Sequence, residues 1–218
     1  MKTRTAFSIC VLCALCGLGC FQPAPPAKPD PPATPALPDA APTLHLRIVR
    51  VDPSFSDALL QERIDEARLL DAEQGVRLSV TEIVPLDRPE WLAVTQEDLP
   101  ALREYAGREI QTAYAVHSIV YAGEERGGLT YARPENCLIV SANSCVDVLA
   151  HELGHACGLV HRDQGCNTMR GDACCSGSAF DPDQGRALAA CASDKSFNFS
   201  RPRAGVVPFV CAVKEKAP

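Results

Sequence analysis

Only two methionines occur in the 218 residues, and one of them is Met1. Met169 is therefore not one of many interchangeable core fillers, the usual reading of methionine. Basic runs are missing outside Lys2 and Arg4, and the formal net charge is −6. That excludes the electrostatic footprint of a nucleic-acid binder. The apolar stretch Ala6 to Leu18 holds 13 residues, short of the roughly 18 that read as a membrane span. Residues 22 to 42 contain no aromatic side chain, so they cannot build a core. No cysteine lies between Cys20 and Cys137, so no propeptide thiol is apparent that could cap a metal.

What is present begins with a targeting pattern. Lys2 and Arg4 precede the apolar stretch, which fits the core of a signal peptide over residues 1–19. The segment ends Gly17-Leu18-Gly19-Cys20, which resembles a bacterial lipobox with Cys20 as the lipidated residue. Gly17 departs from that pattern, since leucine is usual there. Residues 20–42 then read as a lipidated cysteine and a Pro/Ala-rich linker, extended and semi-rigid. The expectation is a chain lipid-anchored in the bacterial cell envelope, with a secreted protein as the alternative. The folded part is expected over 43–218, long enough for one domain with a real core.

Three of the five histidines fall within His151-Glu152-Leu153-Gly154-His155-Ala156-Cys157-Gly158-Leu159-Val160-His161. On a helix His151 and His155 project from one face, about 6 Å apart along the axis, so one metal ion can bridge them. Glu152 is rotated by about 100°, which suits a contact with metal-bound water rather than ligation. A continuous helix would point His161 away. Gly158 can adopt the left-handed conformation that ends helices, and the chain can then bring His161 back to the ion. At this chain's own frequencies of 5 His and 14 Gly, the added pair lowers chance occurrence of the motif by roughly 700-fold. The pattern predicts a catalytic zinc site: three neutral nitrogen ligands, one open position, and a carboxylate above it.

These residues resemble the extended zinc signature of the metzincin metalloendopeptidases. A methionine in a tight turn also marks that family. Here Met169 lies in Cys166-Asn167-Thr168-Met169-Arg170-Gly171, eight residues past His161. The resemblance covers residues 43 to 195. It implies an α+β fold with a twisted mixed sheet of about five strands and two main helices. It implies an active-site helix ending at Gly158, and a small, irregular, disulfide-rich C-terminal part with one helix. It implies that Met169 forms an apolar floor under the histidines without binding the metal. Gly128-Leu129-Thr130-Tyr131 resembles the edge strand on which that family holds extended substrate, because an unpaired edge can pair with any peptide backbone. Two residues depart. Arg162 fits none of the usual subfamily markers after the third histidine. Gly171 stands where some members place a tyrosine that reaches the metal.

Elsewhere the patterning predicts strands over Leu44 to Val51, Val76 to Val84, His117 to Ala122 and Cys137 to Ser141. It predicts helices over Ser56 to about Gln74, over 96 to 106, and from Asp181 to about Ala192, where Asp, Pro and Gln form a capping start. Cys145 to Ala150 reads as a buried helix running into the motif. The tail from Ser193 reads as irregular, with Cys211 able to tie it down. His45 and His117 read as structural. Asp147, four before His151, is a candidate hydrogen-bond acceptor for a ligand imidazole. Eight cysteines follow Cys20, at 137, 145, 157, 166, 174, 175, 191 and 211. Their even number in an oxidising compartment suggests four disulfides of undetermined pairing. A second, cysteine-based metal site is the other reading, though no Cys-x-x-Cys pair with matching histidines appears.

The sequence thus predicts a zinc-dependent endopeptidase with one catalytic Zn2+, a protein or peptide substrate and a monomeric state. His151, His155 and His161 would hold the metal, and Glu152 would act as general base. Two other readings remain open at this point: a catalytically inactive metzincin-fold lipoprotein serving as an envelope binding module, and an envelope protein whose zinc is structural.

Overall fold

The first strand, β1 (Thr43–Arg50), leads into helix α1 (Asp57–Glu73). Ser56 starts that helix, its hydroxyl accepting the Leu59 backbone N–H at 3.1 Å. Gly75, at φ 74°, supplies the left-handed residue just past its end. The chain returns as β2 (Arg77–Pro85), parallel to β1, as a helical crossover allows. This computed structural model describes residues 33–107, 110–131, 136–162, 165–171 and 179–194, and the backbone of 209–212. Residues 1–32, which include the signal segment, Cys20 and most of the linker, lie outside the described residues, as do Cys174 and Cys175.

The remaining elements are β3 (Ala93–Thr95), α2 (Leu99–Ala106), β4 (Gln111–Val116), β5 (Ser118–Tyr121), β6 (Glu124–Tyr131), β7 (Cys137–Ser141), α3 (Val148–Ala156), α4 (Pro182–Ser193) and β8 (Phe209–Ala212). The fold is α+β, as expected. Its mixed sheet has the order β2-β1-β4-β7-β6-β5-β3, and β8 pairs with β6. That makes eight strands rather than about five. One unexpected strand, β4, reads Gln-Thr-Ala-Tyr-Ala-Val and is buried at five of its six positions. A strand covered on both faces shows no alternation, so its pattern was silent.

Alternation along the central strands divides the core into two layers. On one face Leu46, Ile48, Leu138 and Val140 pack with α1, α3 and α4 through Leu60, Ile64, Leu149, Leu153 and Leu188. On the other, Val49, Tyr114, Leu129, Tyr131, Cys137 and Ile139 pack with α2 through Leu99 and Leu102. Gly128 and Thr130 therefore point to the α3 face. Arg63 on α1 is 3% exposed. It donates to the carbonyls of Ser144 at 2.6 Å and Ala142 at 3.3 Å, fastening the loop that leads into α3.

Three sequence expectations need correction. Gly128-Leu129-Thr130-Tyr131 is not a free edge. β7 pairs with it on one side. On the side that β5 leaves after Arg126, β8 pairs antiparallel with Gly128, Leu129 and Thr130. The tail is accordingly not irregular throughout, because Phe209–Ala212 gains backbone partners there. Helix α3 begins at Val148 rather than at Cys145, and Asp147 sits at its N-cap position.

Candidate metal centre

Helix α3 carries His151, Glu152 and His155, all buried at 4% exposure or less. Cys157 caps the helix, and Gly158 follows at φ 84°. That left-handed turn directs the chain back, as the sequence predicts. His155 Nε2 then stands 2.9 Å from His151 Nε2 and 3.0 Å from His161 Nε2. The three imidazoles are thus brought to one point.

Two backbone carbonyls orient the rings. His151 Nδ1 is 2.6 Å from the Thr168 oxygen, and His155 Nδ1 is 2.7 Å from the Leu159 oxygen. A carbonyl only accepts, so each Nδ1 carries the hydrogen and each Nε2 presents a lone pair. Burial pulls the His151 pKa down to about 4, although the Thr168 carbonyl opposes the shift. Burial, then the neighbouring His151, brings His155 to about 2. Both rings are therefore neutral at neutral pH. Lone pairs facing one another at about 3 Å repel unless a cation lies between them. Neutral imidazole nitrogens suit zinc, so this donor set fits the ion that the motif implies. The Asp147 carbonyl accepts the His151 backbone N–H at 3.0 Å, and the acceptors facing His151 Nδ1 and His155 Nδ1 are the Thr168 and Leu159 carbonyls.

Met169 is fully buried in a turn closed by the Arg170 N–H on the Asn167 carbonyl. The Asn167 side chain fixes that turn, accepting the Met169 N–H at 2.8 Å and donating to Gln184 Oε1 at 2.9 Å. Gln184 also completes the capping box of α4 with Asp181, so α4 holds the turn in place. A Cβ at Gly154 would stand 2.4 Å from Met169 Sδ. The glycine inside α3 is therefore what lets the methionine approach the helix from beneath. Thr168, one residue before it, supplies the carbonyl under His151.

The two departures from the family pattern also find places. Arg162 donates its backbone N–H to the Met169 carbonyl, and its guanidinium stands 3.8 Å from Asp181. A Cβ at Gly171 would come within 2.9 to 3.1 Å of the His161 ring, so a tyrosine at this position would displace that ligand. Cys157 bonds to Cys191, joining the end of α3 to α4, and Cys145 is disulfide-bonded as well.

Some site residues carry no sequence signal. The Thr130 hydroxyl bonds the Glu152 carboxylate at Oε2 and reaches the Glu152 carbonyl at 3.1 Å. Gly128 lies against the same carboxylate. Both were expected only as backbone of a substrate strand. Their spacing of two on β6, facing α3, could have suggested a side-chain role had the strand's orientation been known.

Residues 105–200 match the model of Metallo-peptidase family M12. No curated protein sequence matches the chain. Among solved structures it is similar to archaemetzincin from Methanopyrus kandleri, with 18% identity and a TM-score of 0.47, covering 70% of this chain and 97% of that one. It is also similar to metalloproteinase-II from Bacteroides fragilis, with 17% identity and a TM-score of 0.46, covering 77% of this chain and 58% of that one.

Proposed function

We propose that this chain is a metzincin-like zinc endopeptidase that uses Glu152 as its general base. One observation carries the reading. His155 Nε2 stands 2.9 Å from that of His151 and 3.0 Å from that of His161, and backbone carbonyls hold His151 and His155 in the ligating tautomer. A zinc ion held by His151, His155 and His161 would polarise the substrate carbonyl and acidify a water. Glu152 takes a proton from the attacking water and passes it to the departing amine nitrogen. Burial of the carboxylate favours this role, since a dry surrounding strengthens each charge interaction. Met169 supports the ligand helix from below, and Gly158 sets the return of His161.

The second part of the proposal is location. The pattern of Lys2, Arg4, the apolar stretch and Cys20 supports export and lipidation at Cys20. The catalytic domain, 43–218, would then face its protein substrate from a membrane surface on the Pro/Ala-rich linker.

The test of activity compares the zinc-loaded chain with Glu152→Gln on a diverse peptide library, with zinc per chain assayed in both. The expected result is a fall in kcat of about 10²- to 10⁴-fold at unchanged zinc content. Cleavage that survives the substitution would sink the assigned base. A zinc-loaded parent that cleaves nothing in the library would instead favour an envelope binding module without activity.

A further inference from the structure

Resting on that reading, we infer that Thr130 is a positioning residue for Glu152, and that Gly128 provides the space the carboxylate occupies. Thr130 is fully buried, as is Glu152. Its hydroxyl contacts Glu152 twice, at Oε2 and at the main-chain carbonyl. The hydroxyl has one hydrogen, so it donates to an ionised carboxylate, or donates to the main-chain carbonyl while accepting from a protonated carboxyl; either way β6 ties the glutamate in place. A hydroxyl both donates and accepts, so it keeps its contact whether the carboxyl is ionised or carries a proton. Two residues earlier on the same face of β6, a Cβ at Gly128 would lie 2.1 Å from Glu152 Oε1 and 2.7 Å from Cδ. No rotation of an alanine methyl relieves an overlap of that size. β6 thus shapes the carboxylate from both ends: a donor at 130 and a vacancy at 128. β6 is held in register by β7 along Gly128 to Tyr131, so this cradle rests on a rigid element.

Thr130→Val keeps the shape and removes the hydroxyl, while Thr130→Ser keeps the hydroxyl. Thr130→Val is expected to lower kcat about 10- to 100-fold, the range for a lost hydrogen bond to a charged group, with KM within about twofold. Thr130→Ser should stay within about threefold of the parent, and zinc per chain should be unchanged in both. Gly128→Ala gives an independent variant, with kcat again the parameter that falls. The visible spectrum of the cobalt(II)-loaded protein reads the site without turnover. It should change in Thr130→Val and Gly128→Ala and match the parent in Thr130→Ser. Overturning results are Thr130→Val with parental kcat and spectrum, or Thr130→Ser impaired as far as Thr130→Val. If Glu152→Gln lowers kcat as expected while Thr130→Val keeps the parental kcat, this inference fails and the endopeptidase reading stands. If the parent cleaves nothing, the cobalt spectra still decide the positioning role.

The backbone of β8 carries a second, separate inference: Phe209–Ala212 lies in the track of an extended substrate and limits access to the site. The Gly128–Thr130 segment flanks Glu152, so a strand added to its outer side passes beside the base. β8 holds that side, antiparallel, with Leu129 opposite Val210. Phe209→Pro and Val210→Pro together remove whichever of the two N–H groups faces β6, since successive strand residues turn them to opposite sides. In a Glu152→Gln background this double variant should strengthen binding of fluorescein-labelled casein about threefold or more and speed amide exchange within residues 128–130. Faster exchange with unchanged or weaker binding would overturn the inference, as would exchange and binding both unchanged in a chain ending at residue 208.

Discussion

Asp71 offers a quantitative test of the core. It lies inside α1 with no exposed surface, and neither carboxylate oxygen has a hydrogen-bond partner. Burial raises its pKa from 3.8 to about 8. In the unfolded chain the group ionises near pH 4, whereas in the fold it stays protonated until about pH 8. The unfolded state therefore gains free energy as pH rises through this window. Stability is highest below pH 4 for this group and falls by about 1.4 kcal/mol per pH unit up to about pH 8. By pH 7 the loss amounts to about 4 kcal/mol. Asp71→Asn cannot ionise, so it escapes the loss. The amide's own unmet hydrogen bonds return about 1–3 kcal/mol of it, leaving the variant more stable by about 1–3 kcal/mol at pH 7. Urea unfolding of both proteins between pH 5.5 and 7.5 measures the difference, and titrations common to both cancel. The gap should widen with pH at the slope given. A gap independent of pH, or a variant less stable at pH 7.5 than at pH 5.5 relative to the parent, would refute the reasoning.

Further outcomes follow from the site. Gly154→Ala should lower stability by about 1–3 kcal/mol, measured by thermal unfolding of the zinc-loaded protein, because Met169 Sδ blocks the new methyl. In an exposed helix the same change would stabilise by about 1 kcal/mol, so a raised Tm would contradict the packing. Replacing Cys157 and Cys191 together by serine releases a closure of 34 residues, and chain entropy puts the loss at about 4 kcal/mol. Urea unfolding checks it, and an unchanged midpoint would show that the bond closes nothing that unfolding opens. Cys20→Ser should abolish incorporation of labelled palmitate in bacterial cells and release the protein from the membrane fraction. Labelling that persists would remove Cys20 as the lipidation site.

Much of the site was legible because its chemistry requires side chains at fixed spacing. His151, Glu152, His155, Gly158 and His161 lie in one short run, and helix geometry alone brings His151 and His155 to one face. Ser56, Gly75 and Asp181 marked helix ends for equally local reasons. The unread parts depend on distant pairing. The Thr168 and Leu159 carbonyls that orient the ligands are backbone atoms, which every residue possesses. Thr130 meets Glu152 across 22 positions of sequence, and nothing local announces the contact. β8 joins β6 from the far end of the chain, so Gly128–Tyr131 read as an edge until its partner was placed. Asp147 looked like a partner for a ligand ring by spacing, but Thr168 reaches His151 Nδ1 from the methionine turn.

The account stands on the claim that three histidine nitrogens, and no cysteine sulfur, hold the metal. X-ray absorption at the zinc edge of the loaded, full-length chain tests this directly. The expected first shell is nitrogen or oxygen at about 2.0–2.1 Å with imidazole outer-shell scattering, and that imidazole scattering should weaken in His161→Ala. A sulfur shell at about 2.3 Å, or a spectrum indifferent to His161→Ala, would contradict it.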